Sequence, residues 1–206
     1  MRFLPLLSSE LDPAPWAGFA AVELVWSADG HPGWGDALRQ GRQVHAVHLP
    51  SLPWGSGLLE AAGAAGREGL GWDFLVIPAA APLGREARSA FLGTLAVLLE
   101  IFQGRGPKVA LRPAPGAAPA LAALLREVRG EAVGFCWDAD LDADLEAVSD
   151  RILTAVGSPL DDFSALRRLG YRWNMALPST DPAETAETIA RLRAVWPEVL
   201  FPEVHP

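Results

Sequence analysis

The sequence predicts a (β/α)8 barrel, a single domain over residues 1–206. Three observations carry the prediction. Eight short runs rich in Val, Leu, Ile and aromatic residues recur along the 206 residues, as strands buried on both faces require. Helical patterns fill the gaps between them, which is the alternation of a parallel sheet. The turn after the first run, "SSELDPAP", lacks the glycine-rich phosphate turn that an open doubly wound sheet places there. The chain is near the short end of a fold that typically reaches about 250 residues, so its connecting loops must be short.

The elements follow in order. The first strand is "RFLPLL" (2–7), the second "AAVELVW" (20–26) and the third "VHAVHL" (44–49). The segments after these three are short or glycine-rich, so their helices are weakly patterned. One of them, "GAAGREGLG" (63–71), has spaced glycines but lies in a helical region rather than at a strand-to-helix turn, which argues against a phosphate loop. "DFLVIP" (73–78) is the fourth strand. The clearest helix follows, with Phe91, Leu92, Leu95, Leu98, Leu99 and Phe102 on one face.

"KVALR" (108–112) is the fifth strand, and "APALAALLREVRG" is a helix stopped by Gly130. "VGFCW" (133–137) and "RILTAVG" (151–157) are the sixth and seventh strands. "SPLDDFSALRRLG" offers Ser158 as cap, Pro159 at the first helical position and Gly170 past the end. "RWNMAL" (172–177) is the eighth strand. The last helix opens on Asp181, Pro182 and Glu184, a capping-box arrangement. The barrel should close by pairing of residues 2–7 with 172–177. The rival is "VLFPEV" near the C-terminus taking over a closing strand, which would bring Glu203 to the site.

Composition narrows the function classes. The formal charge is −8 and the Lys and Arg residues are scattered singly, unlike the clustered basic surface that nucleic acid needs. One cysteine, Cys136, excludes an internal disulfide and a multi-cysteine metal site, and suggests a cytoplasmic protein. The apolar N-terminal segment is too short for a signal peptide and is interrupted by Pro5. No run approaches the ~20 apolar residues of a membrane span. The composition leaves homo-oligomerisation open.

In a barrel of this type, chemistry collects where the strands end. Glu23 lies in the second strand and His48 near the end of the third. Pro78 ends the fourth, Arg112 the fifth, Asp138 the sixth and Gly157 the seventh, with Leu177 or Pro178 ending the eighth. Strand side chains alternate. With Asp138 inward, Cys136 and Gly134 are inward too, while Phe135 and Trp137 face the helices. With Arg112 inward, Ala110 joins it and Val109 and Leu111 face outward. The same alternation sets His45 opposite to His48 and makes it structural.

The ordered runs "AAVELVW", "VHAVHLPS", "PKVALRP", "VGFCWDADL", "ILTAVGSPL" and "LGYRWNMALPS" resemble the xylose isomerase-like barrels, which include sugar (phosphate) isomerases and epimerases and endonuclease IV-type proteins. The resemblance implies the barrel fold and a divalent cation. Its typical ligands are a Glu ending strand five, an Asp and a nearby His after strand six, a His near strand seven and a Glu ending strand eight. Here Arg112 stands at the first position, Leu141 at the His after strand six, Gly157 at the strand-seven His and Leu177 or Pro178 at the final Glu. Only Asp138 matches, with Glu23 and His48 as weaker echoes. A hard cation needs several converging ligands, and a guanidinium beside a lone carboxylate repels one. No metal and no other cofactor is therefore expected.

Each candidate has a functional and a structural reading. Asp138 is a ligand-binding residue or half of an ion pair. Asp140, Asp142 and Asp144 cap the start of a helix; a calcium loop would need Gly at Ala143 and Glu at Ser149. His48 is an acid or base, or a hydrogen-bonded strand-end residue. Glu23, costly to bury alone, is a proton-transfer group or half of a structural pair. Arg112 grips an anion or neutralises Asp138. Ser158, Ser179 and Thr180 lie where such barrels bind phosphate, yet capping suffices to explain them. Trp26 and Trp54 lie near loops where a sugar face could stack. Glu203 and His205 should emerge at the opposite end of the barrel.

The reading is therefore a barrel that binds a small polar or sugar-like metabolite at Arg112 and Asp138, with an eroded metal site. The alternative is an active sugar or sugar-phosphate isomerase or epimerase, with Glu23 or His48 as base and Arg112 stabilising the oxyanion.

Overall fold

The structure is a computed structural model. It describes residues 1–30, 33–67, 71–102, 107–128, 132–138, 148–158, 163–171 and 173–196. Eight parallel strands close into a barrel in chain order. They are β1 (Arg2–Ser8), β2 (Ala21–Val25), β3 (Gln43–His48), β4 (Phe74–Ala79), β5 (Lys108–Pro113), β6 (Val133–Asp138), β7 (Ile152–Val156) and β8 (Asn174–Pro178). Closure is by β1 on β8, from Arg2 opposite Asn174 to Leu6 opposite Pro178. That is the expected pairing. Residues 197–206, including Glu203 and His205, lie outside the described residues.

Six α-helices are present among the described residues: α1 (Gly33–Arg39), α2 (Ser56–Arg67), α3 (Gly84–Ile101), α4 (Ala118–Leu125), α5 (Ser164–Arg168) and α6 (Pro182–Val195). Helix α6 begins as its sequence dictates. Asp181 accepts a hydrogen bond from the Glu184 amide at 2.8 Å, and Pro182 has no N–H that would need an acceptor in the first turn. Its Thr185, Thr188, Ile189 and Leu192 are buried at helical spacing. Together with Phe163 and Leu166 near and on α5, they cover Phe3, Met175 and Leu177, which point out of the sheet at the closing seam. The proposed cap at Ser158–Pro159 and the aspartates 140, 142 and 144 cannot be matched to structure, because residues 159–162 and 139–147 lie outside the described residues.

The outward faces of β2 to β6 form the larger apolar layer, with Val109, Leu111 and Phe135 fully buried under the helices. The inward faces carry smaller side chains: Ala46, Val76, Ala110, Cys136, Val156 and Ala176 meet inside the barrel. Both inward and outward sets on β5 and β6 fall as alternation predicts.

Two bulges break the alternation elsewhere. On β3, Val22 pairs with Val44 but Glu23 pairs with Ala46, so His45 is an extra residue. It points inward, not outward as strict alternation predicts. Its ring meets Asn174 of β8, across the barrel, and Phe74 at 5.0 Å between centroids. Its Nδ1 lies 2.9 Å from Asp73 Oδ2, so His45 is held between two polar partners at the barrel floor. On β7, Phe135 pairs with Ile152 but Cys136 with Thr154, which makes Leu153 the extra residue. Leu153 packs inward beside the interior set, over the bare backbone of Gly134.

Candidate ligand site at the barrel mouth

The strand ends bring the four candidate residues together as two pairs, not one cluster. The first pair is Glu23 with His48. Glu23 is fully buried and His48 almost so. Nε2 of His48 lies 2.7 Å from Oε2 of Glu23, and the Thr154 hydroxyl donates to Oε1 at 3.3 Å. Nε2 is thus the ring nitrogen that His48 commits to Glu23, and Nδ1 is the other. That Nδ1 is buried and has no hydrogen-bond partner. A buried polar atom left so costs ~1–3 kcal/mol of desolvation. Thr154 was missed from sequence, because the bulge at Leu153 changes which residues of β7 face inward.

The second pair is Arg112 with Asp138. In the sheet, Ala110 is level with Gly134 and Leu111 with Phe135, so Arg112 reaches up along β6 to meet Asp138. Its Nε donates to Asp138 Oδ2 at 2.5 Å, and Nη2 faces the same oxygen. The Asp138 side chain is 2% exposed and that of Arg112 34%. The carboxylate is thus shut in and the guanidinium is partly open.

What the guanidinium opens to is a cavity of about 670 Å³ at the ends of β4, β5 and β6 and the loop after β3. Its described lining comprises Arg112, Asp138, Ser51 and eight apolar residues, among them Leu52, Pro53, Trp54, Pro78 and Pro113. Trp54 is supported by Phe91 of α3, their ring centroids 4.1 Å apart. Glu23 and His48 do not line this cavity. Trp26 packs against the outer apolar layer and does not line this cavity. Ser179 turns its hydroxyl back to the Leu177 carbonyl at 2.7 Å.

The described residues at the mouth do not by themselves suit a divalent cation. Among the described residues, no three His, Cys, Asp or Glu side chains converge as metal ligands. The one strand-end carboxylate at the cavity, Asp138, already faces a guanidinium. No helix among the described residues is long and apolar enough to cross a membrane.

Buried charge also acts on the neighbours of these pairs. Burial above all pushes the Cys136 thiol well above its ordinary pKa. Glu23 and then Asp138 add to this, against Arg112. Tyr171 is raised well above its ordinary value by burial, then by Glu23 and Cys136, with a hydrogen bond to Thr154 opposing. Both groups therefore keep their protons in the folded chain where the unfolded chain, with pKa values of about 8.5 and 10, releases them. The unfolded state then binds fewer protons, so stability falls as pH rises above about 8.5, by up to ~1.4 kcal/mol per pH unit for each group. Urea unfolding at pH 7.5, 9 and 10 should show this decline, and Cys136→Ala should reduce it. A stability unchanged to pH 10 contradicts it.

No protein-family model matches the chain, and no curated protein sequence does. Solved structures do match. The 3-keto-D-glucoside 4-epimerase from E. coli superposes with a TM-score of 0.68 at 16% identity, over 94% of this chain and 99% of that one. A xylose isomerase domain protein from Planctomyces limnophilus gives 0.63 at 12% identity, over 95% and 94%. A xylose isomerase domain-containing protein from Salmonella typhimurium gives 0.62 at 14% identity, over 94% and 96%. At these identities the likeness establishes a common fold: the chain is built like the xylose isomerase-like barrels.

Proposed function

We propose that the barrel mouth binds a small polar or sugar-like metabolite, with Arg112 as the receptor for its charged or hydroxyl-bearing end and no divalent metal. One observation carries the reading. A guanidinium stands partly open in the wall of a cavity of ligand size, fixed in place by a buried carboxylate. Asp138 holds the fork by Nε and one side of Nη2, and Nη1 faces the ligand. Arg112 supplies as a side chain the positive charge that a cation supplies in a metal-dependent barrel, so the metal site is eroded rather than empty. The sugar-processing name of one structural neighbour makes a sugar-like ligand the first to test.

Thermal-shift screening of sugars, sugar acids and other small carboxylates tests this, with and without added Mn, Mg or Zn. A bound ligand at one hundred times its Kd should add ~2.7 kcal/mol of stability. The stabilisation should be independent of metal and lost in Arg112→Ala. A shift that appears only with metal, or that survives Arg112→Ala, overturns the proposal.

A second reading has its own support, the buried His48 Nδ1 that has no hydrogen-bond partner on a ring held through Nε2 by Glu23. That arrangement is a base with an orienting carboxylate, the kind that takes a proton next to a carbonyl in isomerases and epimerases. It requires the interior to open, because neither residue reaches the cavity. Turnover of a sugar substrate that is abolished by both Glu23→Gln and His48→Gln would favour it.

A further inference from the structure

The cavity's lining says more about its ligand than that it is small and polar. We infer that it takes a monocarboxylate with a flat, largely apolar body, rather than a polyhydroxylated sugar or a phosphate ester. This rests on the reading of the mouth as a ligand site.

The first argument is the supply of hydrogen-bonding groups. Eight of the eleven described lining residues are apolar, and three of them, Pro53, Pro78 and Pro113, have no backbone N–H to donate. The Ala79 carbonyl is already taken by the Ala114 amide at 2.8 Å. In the described lining, side-chain polarity is confined to Ser51, Arg112 and Asp138. A sugar brings a hydroxyl on nearly every carbon, and each that is desolvated without a partner opposes binding. A ring or branched aliphatic body asks for no such partners and is suited to Leu52, the prolines and Trp54, whose ring Phe91 keeps in place.

The second argument is charge. Arg112 is the cation of the described lining, and Asp138 already balances it. A carboxylate adds one negative charge and matches the planar edge of a guanidinium in a two-point contact. A phosphate monoester adds nearly two, beside a buried carboxylate and without a second cation in the described lining. The arrangement therefore favours the monoanion.

Calorimetric titration of the full chain with benzoate, benzamide, phenyl phosphate, gluconate and glucose tests the inference. Benzoate is expected to bind about tenfold or more tightly than benzamide, gluconate or phenyl phosphate, the margin of one charge-assisted hydrogen bond. Arg112→Ala should erase the preference for benzoate over benzamide. Trp54→Ala should weaken benzoate and benzamide alike. The benzoate-to-benzamide ratio is read within one variant, so it stands even where the variant is less stable. Gluconate or glucose binding through Arg112 with benzoate failing overturns the inference and leaves the mouth as a ligand site. Phenyl phosphate binding as tightly as benzoate overturns the charge argument and the inference with it. Absence of Arg112-dependent binding for every probe overturns both this inference and the reading on which it rests.

Discussion

Arg112→Ala should destabilise the fold by about 2–3 kcal/mol in urea or thermal unfolding. Its partner sets the scale. Asp138 is 2% exposed, and a buried carboxylate deprived of its cation loses ~3–5 kcal/mol. Arg112 is a third exposed, so water reaches the gap and part of the cost is recovered, as in surface pairs worth ~1 kcal/mol or less. The intermediate value follows. Arg112→Ala combined with Asp138→Asn should be more stable than Arg112→Ala alone, because the uncompensated charge is gone. Arg112→Glu should not create a metal site, since Leu141 and Gly157 still offer no ligand. Stability and ligand binding both unchanged in Arg112→Ala would show that the pair does nothing.

The second large effect is expected at Gly134. A Cβ there would lie 2.3 Å from the Arg151 carbonyl oxygen and 2.7 Å from Leu153 Cγ. The leucine can move, but the carbonyl belongs to the backbone leading into β7. Overpacking of a tight core costs ~1–3 kcal/mol when side chains yield, so Gly134→Ala should cost about 3 kcal/mol or more. Adding Leu153→Ala should relieve only the side-chain part of the clash. Gly18→Ala is the control: nothing lies within 4 Å of its added Cβ, and a shift within about 0.5 kcal/mol is expected. Equal effects at the two glycines would mean that β6 and β7 are not packed as described.

The fold was legible because its signals are local and repeated. Each strand run is short and apolar, and each inward residue on β5 and β6 follows from period two. The Arg112–Asp138 contact was legible for the same reason, since it needs only two neighbouring strands and one alternation. What the sequence hid were the departures from periodicity. "VHAVHL" and "RILTAVG" carry no mark of a bulge, since an extra residue is defined by the partner strand and not by the strand itself. So the facing of His45 was misjudged, and the partnership of Thr154 with Glu23 was unseen. The cavity's apolar lining was hidden for another reason. It is assembled from loops after three different strands, and their approach is a matter of tertiary geometry.

The bulge at His45 has a consequence for how this barrel can change. In an unbroken strand, residues 45 and 48 would lie on opposite faces, and any sequence favouring one end would be locked to the other. The extra residue resets the phase midway along β3. Below it, the strand answers to the floor, where His45 meets Asp73 and Asn174; above it, to the interior, where His48 meets Glu23. The two halves become separate reading frames on one strand. Substitutions at the mouth can then accumulate without disturbing the closure of the floor. A deletion of one residue between them would remove the bulge and leave the histidines two apart, both inward on an unbroken strand, so that the two halves would again share one phase.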